Sequence, residues 1–179
     1  MAEGEIHKKL KAIAMMFGKK MVTDLVAREV KFKNIKSVAD VVAINIKREE
    51  IRIFEAKATK ADFLRDKKLK NIDESYYRHC HYFYIICPEN IINIEDIPKE
   101  YGLLWANLET NEVIIKQKPK KNTGRLKTMF KTTFRNTIKS VTNDLYYHYI
   151  IPEFQLPVEC KKRKKRKRKK SIAFRMEYK

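Results

Sequence analysis

The chain has 179 residues, enough for one domain with a sizeable core plus an appendage. Lys and Arg number 41 against 22 Asp and Glu, a net charge of +19; setting aside the ten consecutive basic residues at 161–170 still leaves +9, so a polyanionic partner is expected, nucleic acid ahead of an anionic membrane surface. Three cysteines without CxxC spacing exclude a disulfide framework, and no segment approaches the roughly 18–20 apolar residues of a membrane span.

The start, Met1-Ala2-Glu3-Gly4-Glu5, is not a signal peptide, so the protein is expected inside the cell, in cytoplasm or nucleoid, or in the nucleus of a eukaryotic host. Residues 5–17 carry Ile6, Leu10, Ile13 or Ala14, and Phe17 at helical spacing, with Gly18 placed to end the helix. This predicts an amphipathic helix lying on a sheet. Glu5 falls in its first turn, where a negative charge is favourable. Residues 22–33 read as a strand, in which Glu29 stands among apolar neighbours; an ion pair with a flanking Arg or Lys on an edge strand accounts for it.

Val41–Ile46 and Ile51–Phe54 are β-branched and aromatic runs separated by Lys47-Arg48-Glu49-Glu50, which predicts a β-hairpin. Pairing Lys47 with Glu50, or Ile46 with Ile51, sets Asp40 opposite Lys57 and leaves Glu55 diagonal to Asp40 on the same face. Both carboxylates and the lysine then project from one side, at the end of an otherwise apolar face. Charges so placed need an occupant between them, since an unpartnered buried charge is costly. Two carboxylates suit a hard divalent cation such as Mg²⁺ or Mn²⁺, completed by water and substrate phosphate. The neighbouring ammonium suits the orientation of a metal-bound water or the anion that develops at phosphorus. The chemistry so described is phosphodiester hydrolysis.

Asp40, followed by Glu55-Ala56-Lys57, resembles the PD-(D/E)XK nuclease superfamily. The ordered series after it is similar to the MmcB-like DNA-repair branch: Thr59 to Lys67 with its Asp-Phe and Asp-Lys, then Tyr76 or Tyr77 with Cys80, a hydrophobic strand, and Ile97 to Leu104. The resemblance covers about Ile6 to Asn107. Ala39 stands where the superfamily name has proline, and His81 where that branch has an acidic residue. The resemblance implies a restriction-endonuclease-like α/β fold and a metal-dependent deoxyribonuclease, endo or exo, serving DNA repair, recombination or processing. It assigns Asp40 and Glu55 to the metal, with the Ala56 carbonyl as a further ligand, and Lys57 to the attacking water. It also brings Glu5 and Glu29 forward as supporting acids.

Thr59 is set to cap a helix running from Lys60 to about Asn71, with Asp62 three residues on. Its cations Lys60, Lys67 and Lys68 are candidates for phosphate contact, or a solvated face. His81 to Cys87 reads as a central strand, and core packing is expected of His79-Cys80-His81 rather than zinc ligation, because adjacent ligands point opposite ways in a strand. Short strands are predicted at Gly102–Asn107 and Glu112–Lys116, with Trp105 in the core. Residues 123–150 predict a long amphipathic helix whose second stripe, Lys127, Lys131, Arg135 and Lys139, can track a phosphate backbone. Beyond Pro152 and Pro157 comes the run Lys161, Lys162, Arg163, Lys164, Lys165, Arg166, Lys167, Arg168, Lys169 and Lys170, which repels itself too strongly to pack; it serves nucleic acid or acts as a localisation signal.

The expected architecture is α/β: a central mixed sheet flanked by helices, divided as a nuclease-like core over 1–118, an amphipathic helix over 119–151 and a basic tail over 152–179. The leading expectation is a Mg²⁺- or Mn²⁺-dependent nuclease acting on single-stranded, duplex or branched DNA. The rivals are a catalytically silent DNA-binding accessory protein of the same fold and an RNA-binding basic protein. The oligomeric state is left open, a homodimer included.

Overall fold

A computed structural model describes residues 3–21, 24–32, 38–69, 76–124, 127–145 and 147–148. In chain order these give α1 (Glu3–Met21), β1 (Leu25–Lys31), β2 (Val38–Asn45), β3 (Glu50–Ala56), α2 (Lys60–Leu69), β4 (Tyr82–Pro88), β5 (Gly102–Ala106), β6 (Val113–Gln117) and α3 (Lys127–Leu145). The six strands form one mixed sheet in sequential order. β1, β2 and β3 run antiparallel, β3, β4 and β5 parallel, and β6 returns antiparallel to β5. A parallel β3–β4 step needs a long crossover, and α2 lies within it.

The α1 stripe of Leu10, Ile13 and Ala14 lies on Val41, Ala43, Phe54, Ala56, Tyr84 and Ile86. Removing the Leu10 side chain beyond Cβ would cost about 2–5 kcal/mol. The helix does not stop at Gly18 but runs to Met21. Gly18 is there for contact: a methyl on it would come 3.3 Å from Ala43 Cβ and 3.4 Å from the Phe54 ring. The opposite sheet face packs Val42, Ile44, Ile51, Ile53, Phe83 and Ile85 against Phe63 of α2, Tyr76, Cys80 and Phe130 of α3. Cys80 and Cys87 are both buried core residues. Thr59 does cap α2, its Oγ1 accepting the Asp62 amide at 3.1 Å. No helix among the described residues is long and apolar enough to cross a membrane.

The hairpin corrects the expected register. Asn45 pairs with Glu50, Ile44 with Ile51 and Val41 with Phe54, which carries Asp40 level with Glu55 rather than with Lys57. The cause lies in the loop. Asn45 Oδ1 accepts the Arg48 amide at 2.8 Å, and Glu49 adopts a left-handed φ of 51°, so residues 46–49 close the turn and Glu50 starts a strand. Glu50, expected in an exposed connection, is buried: Lys121 Nζ lies 2.8 Å and Arg52 Nη2 3.2 Å from its carboxylate.

Trp105 is half-buried rather than wholly in the core. Its indole N–H donates to the Ile92 carbonyl at 2.8 Å, and Lys116 Nζ stands 4.2 Å from its ring centroid. The C-terminal helix is integral to the fold: Ser140 Oγ donates to the Arg28 carbonyl at 2.7 Å, and Arg28 Nε to Asp144 at 3.1 Å.

Candidate active site

Glu55 and Lys57 leave the end of β3 on alternate positions. Their side chains meet, Lys57 Nζ donating to Glu55 Oε1 at 3.3 Å, and the residues are only 1% and 7% exposed for Lys57 and Glu55. Burying two charges costs several kcal/mol per ion before their attraction is counted, so sheet stability alone is a poor reason for placing them at the end of an apolar strand.

Asp40 arrives from β2. Its Oδ2 accepts the Ala56 amide at 2.9 Å, so the carboxylate rests against the peptide link that joins Glu55 to Ala56. The same oxygen lies 3.3 Å from His7 Nε2, and Oδ1 lies 4.0 Å from Lys11 Nζ. Lys11 also holds Glu29 at 3.0 Å. Asp40 thus sits in a polar cluster made with α1. The bond to Asp40 raises the His7 pKa above its ordinary value, against the opposing effect of burial. The Lys11 ammonium holds the Glu29 carboxyl below the usual range.

The expectation that both carboxylates project from one face is corrected. Glu55 alternates with Phe54 and Ala56, which lie under α1, and so turns to the other face with Ile51 and Ile53. Asp40 follows a broken alternation. Ala27 and Val42 pair on the face away from α1, yet Val30 and Ala39 pair on that face as well. Between them Glu29 takes φ 54°, which rolls Glu29 and Asp40 toward α1. The two acids therefore approach the Glu55–Ala56 peptide from opposite sides of the strand end.

Asp40, Glu55 and the Ala56 carbonyl are oxygen donors of the kind a hard cation takes, but the two carboxylates lie on opposite faces of the strand end. Among the described residues no group of three or more His, Cys, Asp or Glu is disposed to hold a metal. Lys11, and His7 when protonated, supply the positive charge beside Asp40.

Of the supporting acids, Glu29 reaches this cluster through Lys11, with its side chain 62% exposed. Glu5 is exposed near the start of α1. Sequence reasoning missed His7 and Lys11, although one helical turn separates them and they flank Leu10 of the buried stripe. It also missed the role of His81, whose side-chain Nδ1 accepts the Ile51 amide at 3.0 Å while its backbone N–H donates to the Ile51 carbonyl at 2.9 Å. Burial lowers its pKa.

Among the candidate phosphate contacts, Lys60 pairs with Asp96 at 3.1 Å. Lys131, Arg135 and Lys139 are exposed along α3. The side chains of Lys67, Lys68 and Lys127, and the whole run 161–170, lie outside the described residues.

No family model matches the chain, and no curated protein matches it. Among solved structures it is similar to the SPO1766 protein of unknown function from Silicibacter pomeroyi. The identity is 18% and the TM-score 0.64, over 86% of this chain and 94% of that one. The likeness is one of fold.

Proposed function

We propose that the protein is a divalent-metal-dependent nuclease that hydrolyses DNA, working inside the cell on repair or processing intermediates. The observation that carries this reading is the buried Glu55–Lys57 pair at a strand end with the Asp40 carboxylate bonded to the amide between them. Asp40 and Glu55-Ala56-Lys57 are the residues that resemble the Asp and Glu-x-Lys of the PD-(D/E)XK superfamily, and the net charge of +19 supplies attraction for a phosphate backbone.

Asp40, Glu55 and the Ala56 carbonyl would hold Mg²⁺ or Mn²⁺, which when bound polarises the phosphate and lowers the pKa of water. Lys57 is the group to orient the attacking water and to face the charge that develops on phosphorus, and Glu55 Oε1 holds its ammonium in place. Asp40 fixes the strand end through the Ala56 amide. His7 and Lys11 hold the Asp40 carboxylate on its α1 side.

A second reading, a DNA-binding protein of this fold without hydrolysis, is favoured by the engagement of Asp40 with His7 and Lys11 and by the approach of the two acids from opposite faces. A cleavage panel with Mg²⁺ or Mn²⁺ over single-stranded, duplex and branched DNA and RNA separates the two. EDTA-sensitive cleavage of DNA that is lost in Asp40→Asn, which keeps an acceptor for the Ala56 amide, supports the nuclease. Salt-sensitive binding with no cleavage of any substrate overturns it in favour of the second reading.

A further inference from the structure

We infer that the cleft between α3 and the outer edge of β1 is a groove for a single DNA strand, leading it toward Asp40. This names a substrate class for the proposed nuclease and rests on that reading only for where the strand is led. The cleft has a volume of about 220 Å³ and is lined by Glu29, Lys31, Asn136, Lys139, Ser140 and Asn143, all polar.

Its walls are fixed. The Ser140 bond to the Arg28 carbonyl and the Arg28–Asp144 pair hold α3 to β1, and Thr133 and Thr137 are buried on the inner side of the helix. One end is the polar cluster already described: Glu29 lines the cleft while its carboxylate bonds Lys11, which in turn stands 4.0 Å from Asp40. Lys31 and Lys139 are exposed, and neither pairs with an acid among the described residues. Among the described residues Asn136 Nδ2 is buried without an acceptor. Two cations among the polar side chains of the cleft are the chemistry that takes phosphate and sugar oxygens.

Size selects the single strand. Lys139 stands on the α3 wall of this narrow cleft and Lys31 on the β1 wall, so one backbone laid along it meets a cation from each side, whereas a duplex is too wide to enter and meets only the rims. Lys131 and Arg135 continue from Lys139 at four-residue steps along the exposed side of α3, extending the positive track beyond the cleft.

The test is fluorescence anisotropy of the full chain with a fluorescein-labelled oligo-dT probe in EDTA, over a salt series, beside a duplex of the same length and oligo-U. Lys31→Gln and Lys139→Gln should each flatten the log–log salt slope for oligo-dT by about 0.7, with a smaller change on the duplex. Photocrosslinks from iododeoxyuridine in the probe should map to residues 28–31 or 136–143. Unchanged slopes in both variants, crosslinks confined to 161–170, or tighter lysine-dependent binding of oligo-U than of oligo-dT each overturn the groove. Wild-type DNA cleavage with unchanged slopes overturns the groove and leaves the nuclease standing; flattened slopes without cleavage of any substrate do the reverse.

Discussion

The Asp40 carboxylate accepts the Ala56 amide at 2.9 Å, taking the place on β3 that a backbone carbonyl of β2 would occupy had the ladder continued. Asp40 therefore has a structural duty besides any chemical one. An aspartate there satisfies a donor on a residue that is 1% exposed.

Asp40→Ala should destabilise the fold by about 1–3 kcal/mol, because it leaves that amide without an acceptor. Asp40→Asn keeps an acceptor oxygen and should unfold close to the wild type in a denaturant titration. Under the nuclease reading both variants lose cleavage, so Asp40→Asn separates loss of chemistry from loss of fold. Equal destabilisation by Asn and Ala would show that the Ala56 bond does not govern stability.

The Glu55–Lys57 pair should be strongly coupled. Glu55→Gln and Lys57→Met each remove one charge of a buried pair, and such changes cost about 3–5 kcal/mol singly. The double variant should recover part of that loss, giving a coupling energy of about 0.5–3 kcal/mol in a double-mutant cycle by chemical denaturation. Simple additivity would mean that the two side chains do not stabilise one another.

Acidification should weaken the fold through His81. Its Nδ1 accepts the Ile51 amide and so must stay unprotonated, and burial holds its pKa below the ordinary value. The unfolded chain then binds a proton that the folded chain refuses, so stability falls as pH drops below about 6.5. His7 carries the opposite sign: its pKa is raised by Asp40, so its contribution is full below about 6.5 and is lost as pH rises through the folded value. Melting temperatures from about pH 8 to about pH 5.5 should fall less steeply in His81→Asn, which keeps an acceptor without titrating, and more steeply in His7→Gln. Identical slopes in His81→Asn and wild type would remove His81 from the account.

Periodicity alone determined most of the layers. The apolar spacing of Leu10, Ile13 and Ala14, the β-branched run around Val41–Ile44, and the Thr59 cap each state a local preference that the tertiary structure keeps, because burial rewards the same residues that the local geometry exposes on one side. The charge balance was equally plain, being a sum over the chain. What only the folded chain decided is where strict alternation fails. The loop closing at Asn45–Glu50 and the left-handed turn of Glu29 are each small in sequence, but one moves the register and the other rolls Asp40 toward His7 and Lys11. A period-two pattern has no memory of such a break, so the side from which each acid approaches Ala56 depends on contacts between residues far apart in the chain.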